Sequence, residues 1–155
     1  MVVYSKSAQT IRRPENLKRV CRELVEDEAA QGVWWSEPMG VPQYYWERLK
    51  LPVDEVYAIM REGFDEGTKA TGTEVGMMAG INRHFGVDGL FGVSTVQTAE
   101  FAVRQKDNGV VSFGIAGDER IPPDPFGPAC DIARDAGLLV VPHAGETMGP
   151  ESVWA

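Results

Sequence analysis

Leu138-Leu139-Val140-Val141-Pro142-His143-Ala144-Gly145-Glu146 is the stretch on which the fold turns. Five apolar residues in a row read as a buried strand, and Pro142 closes it. His143 then stands at the strand's carboxyl end. Three residues later Glu146 follows on a turn that Gly145 permits. An imidazole and a carboxyl so placed can set a metal ligand and a proton donor around one reacting atom.

Working outward from this strand, helical and extended patterns alternate. Phe126, Ala129, Cys130 and Ala133 predict a helix before it, and Val110-Val111-Ser112-Phe113 predicts a strand before that helix. Thr95 to Lys106 is helical by pattern, with Val96, Ala99, Phe101 and Val103 apolar, and Glu74 to Ile81 precedes it as a strand. A helix from Pro52 uses Val53, Val56, Tyr57, Met60 and Phe64 and ends near Gly67 or Gly72. Val33-Trp34-Trp35-Ser36 predicts a strand stopped by Pro38, Gly40 and Pro42. Pro14 to Gln31 predicts the first helix, with Leu17, Val20, Cys21, Leu24 and Val25 at helical spacing. Gly149-Pro150 opens a last helix. Strands alternating with helices imply right-handed βαβ units and a parallel sheet. Four such units are half of an eight-stranded barrel, which takes around 250 residues. A free-standing doubly wound sheet is the other architecture that fits.

The run His143-Ala144-Gly145-Glu146, then Gly149-Pro150-Glu151-Ser152-Val153, resembles the adenosine deaminase family of zinc-dependent hydrolases. Gly114-Ile115-Ala116-Gly117-Asp118-Glu119 is similar to that family's Asp-Leu-Ala-Gly-Asp-Glu signature, with Gly114 where the family usually carries Asp. Weaker likenesses are Arg13-Pro14-Glu15-Asn16-Leu17, Gly32-Val33 leading to Glu37, and Arg83-His84. The resemblance spans nearly the whole chain, but its specific motifs lie in the last 45 residues or so. It implies an internal portion of an α/β (β/α)8 barrel, family strands two to five, forming a single incomplete domain over residues 1–155.

The same resemblance implies site roles. His143 would be a ligand of Zn2+, and Glu146 would protonate a purine ring nitrogen, work that calls for a carboxyl group with a raised pKa. The backbone N–H of Gly117 would meet the purine; the plainer reading is that Gly117 permits a tight turn. Asp118 and Glu119 would extend the pocket, or else lie exposed. Catalytic zinc takes three protein ligands plus water. The family draws the others from a His-x-His pair and an Asp, and this chain carries neither set. Its other histidine, His84, belongs to a different strand end. Arg83-His84 is read as a structural tie, and Trp34, Trp35, Tyr44, Tyr45 and Trp46 as packing, a loop anchor or cover for a partner surface.

Composition narrows the partners. The net charge of −8 disfavours nucleic acid and acidic membrane surfaces. No apolar run approaches the roughly 18 residues that span a bilayer. Met1-Val2-Val3-Tyr4 lacks a secretory core, and Cys21 and Cys130 read as buried free thiols, so a cytoplasmic setting is expected. Two functions follow. One is an adenosine deaminase-like hydrolase that removes the 6-amino group of adenosine or a related purine with zinc-activated water. The other is a catalytically inactive piece, a half-barrel that assembles with a complementary polypeptide or with itself.

Overall fold

The computed structural model describes residues 9–154, which fall into two compact units. Met1 to Tyr4, read above for a leader, lie outside the described residues.

The first unit takes residues 9–36 and Pro42–Val75. Its core is a pair of helices. α1 (Pro14–Ala30) starts with Pro in its first turn and buries Leu17, Cys21 and Val25, one residue per turn on one stripe. α2 (Gln43–Leu49) is a short helix that the sequence did not announce. α3 (Val53–Thr71) buries Val56, Tyr57, Met60 and Phe64 and stops at Gly72, which takes φ of 85°. Two more buried positions of α3, Gly63 and Gly67, face α1. β1 (Trp35–Ser36) pairs in parallel with β3 (Glu74–Val75). Trp34 and Trp35 are exposed, Trp34 by 78%, so neither is core. Burial lifts the Cys21 thiol to about 12, as expected of an inert buried cysteine.

The glycines explain how closely α1 and α3 approach. A methyl group on Gly63 would stand 2.8 Å from Cys21 Cβ and nearer still to the carbonyl oxygen of Lys18. Gly63→Ala gains about 1 kcal/mol of helix propensity. Overpacking costs about 1–3 kcal/mol or more, and a helix carbonyl cannot swing aside as a side-chain tip can. Cost should win. We expect a lower thermal midpoint for Gly63→Ala; a midpoint equal to or above the parent's would contradict this helix contact.

The second unit takes Glu37–Val41 and residues 76–154. Its sheet runs β2 (Met39–Gly40), β4 (Met77–Asn82), β5 (Val110–Ala116), β6 (Leu139–Pro142), all parallel. The spatial order follows the chain without reversal. A doubly wound sheet reverses its order at a switch point, so this sheet speaks for a barrel wall. α4 (Thr95–Arg104) opens on a capping box between Ser94 and Gln97, and α5 (Gly127–Asp135) buries Ala129, Cys130 and Ala133. The segment after Gly149, expected to begin a helix, is a short 3-10 turn over Pro150–Val153.

β5 is buried at Val110, Ser112, Phe113, Gly114 and Ile115, as a central parallel strand should be. β6 departs from the expectation of a buried strand. Leu139 is 63% exposed and Val141 41%, because β6 has β5 on one side and no strand on the other among the described residues. At mid-sheet Gly80 lies beside Gly114, and the side chains of Met39 and Met78 occupy the space over them. That accounts for Gly114 where the family signature has Asp: a side chain there would meet Met78 Sδ.

Candidate active site

Parallel strands bring their carboxyl ends to one edge. By register Asn82 lies beside Ala116 and Ile115 beside Pro142. The residues just beyond these ends, Arg83, Gly117 and His143, are therefore neighbours by construction. Ligand sites of parallel α/β folds lie at this edge.

Hydrogen bonds tie the three strand ends together. The backbone N–H of His143 donates to Ile115 O at 2.8 Å, extending the β5–β6 ladder by one residue. Arg83, buried at the end of β4, donates from Nη2 to the His143 carbonyl at 2.9 Å. The Arg83-His84 pair is thus the structural tie the sequence suggested. The Asn82 side chain accepts the His84 N–H at 3.0 Å. Gly117 takes φ of 100°, and a Cβ there would stand 2.5 Å from Asn82 Oδ1. The turn itself requires glycine.

Glu119 ties the loop after β5 to the loop after β6. The side chain is buried, not exposed. Its Oε1 accepts the N–H of Glu146 at 2.8 Å, and its Oε2 accepts those of Thr147 and Met148, both at 2.9 Å. The Thr147 hydroxyl adds a contact at 3.3 Å. Sequence reasoning left Glu119 open, because nothing in a sequence shows which backbone groups a carboxylate will meet. Asp118 instead pairs with Arg120, whose guanidinium holds it down to about 2.

The N–H donors of Thr147 and Glu146, in that order, hold the Glu119 carboxyl down to about 2 from its ordinary 4.5. A depressed carboxyl adds stability that is complete above its ordinary value and fades as pH falls toward its folded one. Order at residues 146–148 should therefore persist into mild acid and be lost as pH falls below about 4.5 toward 2. Amide chemical shifts of Glu146, Thr147 and Met148 followed down in pH check this; a transition near neutrality would contradict it.

His143 and Glu146 are both exposed on this edge. Gly145 donates its N–H to Ser152 Oγ at 2.6 Å, which fixes the other side of the Glu146 turn. On the far side of the sheet's width, Glu37 Oε2 accepts the Ser112 hydroxyl at 3.2 Å.

The sequence profile of the adenosine deaminase family matches residues 1–155. The chain belongs to the adenosine deaminase family. It is 35% identical over 156 residues to an adenine deaminase of a Chelativorans species, covering all of this chain and 46% of that one. It is 34% identical over 141 residues to an adenosine deaminase of Serratia proteamaculans, covering 90% of this chain and 41% of that one. Among solved structures, a Burkholderia ambifaria amidohydrolase with bound zinc superposes with a TM-score of 0.77 at 26% identity, covering 88% of this chain and 36% of that one. The chain thus spans less than half the length of the relatives it matches. Its fold is part of the (β/α)8 barrel of the adenosine deaminases, as the sequence implied.

Zinc does not fit the residues present. No three His, Cys, Asp or Glu side chains among the described residues converge on one point, and His143 stands as a single candidate ligand. A catalytic zinc site takes three protein ligands. We expect the chain, loaded with zinc and dialysed, to retain much less than stoichiometric metal. Stoichiometric retention measured by atomic emission would contradict the ligand count. No helix among the described residues is long and apolar enough to cross a membrane.

Proposed function

We propose that this adenosine deaminase-family chain carries part of the site of a hydrolase that removes the 6-amino group of adenosine, adenine or a related purine as ammonia. The observation that carries this reading is the convergence of Gly117, His143 and Glu146 at one edge, with the loops of Gly117 and Glu146 joined through Glu119. In this reading Glu146 delivers a proton to a purine ring nitrogen. That makes the ring carbon bearing the amino group electrophilic; water adds there and ammonia leaves. The Gly117 N–H orients the base, and the missing side chain leaves room for its approach. His143 serves as one metal ligand, its zinc partners supplied from outside residues 9–154, in a cytoplasmic setting. Relatives named for adenosine and for adenine leave nucleoside and base equally open.

One observation favours assembly with a complementary polypeptide. Leu139 and Val141 of β6 are exposed along the edge strand. A complementary barrel segment would supply both cover and ligands. The two readings part in one assay. Ammonia release from adenosine and adenine is measured with zinc present, by the chain alone and mixed with the complementary segment of a relative. Turnover in the mixture alone supports assembly, and turnover by the chain alone refutes it. Silence in both defeats the deaminase reading.

A further inference from the structure

Glu146 sits on an exposed turn, yet a proton donor must be held to a fraction of an ångström. Its own side chain has no contact that could do this among the hydrogen bonds of the described residues. Its backbone does. Three successive N–H groups, of Glu146, Thr147 and Met148, converge on the carboxylate of Glu119. Consecutive N–H groups of this kind form a concave anion cradle, here filled by a side chain of the same chain. We propose that Glu119 is the positioning residue for Glu146: its buried carboxylate clamps the turn from which the proton donor projects. The inference rests on the deaminase reading for what Glu146 does.

Several features make the clamp specific. Both oxygens are used, Oε1 by Glu146 and Oε2 by Thr147 and Met148, so rotation of the carboxylate would break bonds at either end. Glu119 lies two residues beyond Gly117, so one strand end fixes both the amide meant for the base and the turn that carries the acid. On its other flank the turn is pinned by Gly145 to Ser152 and by Arg83 to the His143 carbonyl. A Gln at position 119 would keep the size but offer one oxygen and an NH2 group to a set of N–H donors; with its oxygen turned to Thr147 and Met148, the N–H of Glu146 would face a donor. An Asp would keep the charge and lose reach.

The test uses the full chain as parent, Glu119→Gln, Glu119→Asp and Glu146→Gln. Hydrogen exchange at the amides of Glu146, Thr147 and Met148 should accelerate about tenfold or more in Glu119→Gln, because charge-assisted bonds are lost. The His143 amide, bonded to Ile115, should keep its protection and report that the sheet is intact. Glu119→Asp should recover part of the protection, and carries the same comparison if the Gln variant does not fold. Unchanged exchange at the three amides overturns the clamp. In the ammonia-release assay, Glu119→Gln should lower kcat about ten- to hundredfold with KM little altered. A variant combining Glu119→Gln with Glu146→Gln should be no slower than Glu146→Gln alone, since a residue acting through Glu146 has nothing left to act on. Additive losses overturn positioning. A parent without turnover even when mixed with zinc and the complementary segment, or a Glu146→Gln variant as fast as the parent in that mixture, counts against the deaminase reading instead. The exchange result then decides the clamp by itself.

Discussion

Glu146→Gln is expected to lower the rate of ammonia release by about 10²- to 10⁴-fold, the range that a positioned general acid contributes. The amide keeps the shape of the carboxyl and can still touch a ring nitrogen, but it has no acidic proton to deliver. KM should change little, because the orientation of the base is assigned to the Gly117 N–H. The fold should not suffer. Glu146 is exposed, and its structural bond to Glu119 is made by the backbone, which the substitution leaves in place. A stability change within about 0.5 kcal/mol is the ordinary result for such a surface position. Measuring kcat beside the unfolding midpoint separates the two effects. A Gln variant with near-parent kcat would remove Glu146 from the chemistry.

Gly117→Ala should lose stability and substrate affinity together. The residue's φ of 100° is open to glycine and strained for alanine, and the new Cβ would stand 2.5 Å from Asn82 Oδ1 and 3.2 Å from the Arg83 N. Asn82 cannot move freely, since its side chain accepts the His84 N–H. Backbone strain of this kind costs about 1–3 kcal/mol. For a chain of this size that corresponds to a midpoint lower by roughly 2–12 °C. In the deaminase reading, relief of this clash would shift the Gly117 amide that orients the base, so KM should rise as well. Thermal unfolding and steady-state kinetics on one preparation check both. An alanine variant as stable as its parent would show that the turn does not depend on glycine.

The sheet was legible from apolar runs and their spacing. β5 and β6 fall where Val110 to Phe113 and Leu138 to Pro142 predict them, the run Glu74 to Ile81 is divided between β3 and β4, and α1, α3 and α4 follow their helical stripes. The misses have identifiable causes. α2 has only seven residues, too few to display a period, and its Tyr44, Tyr45 and Trp46 read as an aromatic cluster. The strand through Trp35 is broken at Glu37-Pro38 into two short pieces, β1 and β2. An apolar run predicts burial only where neighbours cover it, and among the described residues β6 has a strand on one side alone. At the site, the motifs named His143, Glu146 and Gly117. The role of Glu119 stayed open between pocket and surface because its partners are backbone N–H groups 27 to 29 residues away, which carry no side-chain signature.

Amide mapping of the full chain with purine riboside, which lacks the amino group and so cannot be turned over, tests most directly whether these strand ends meet a purine. Added with zinc and the complementary barrel segment, the ligand should shift the amide of Gly117 together with those of Ala144, Gly145 and Glu146, and leave α1 and α3 unmoved. Saturable binding that shifts none of these four, or that maps to another face, would contradict a purine site at the ends of β5 and β6.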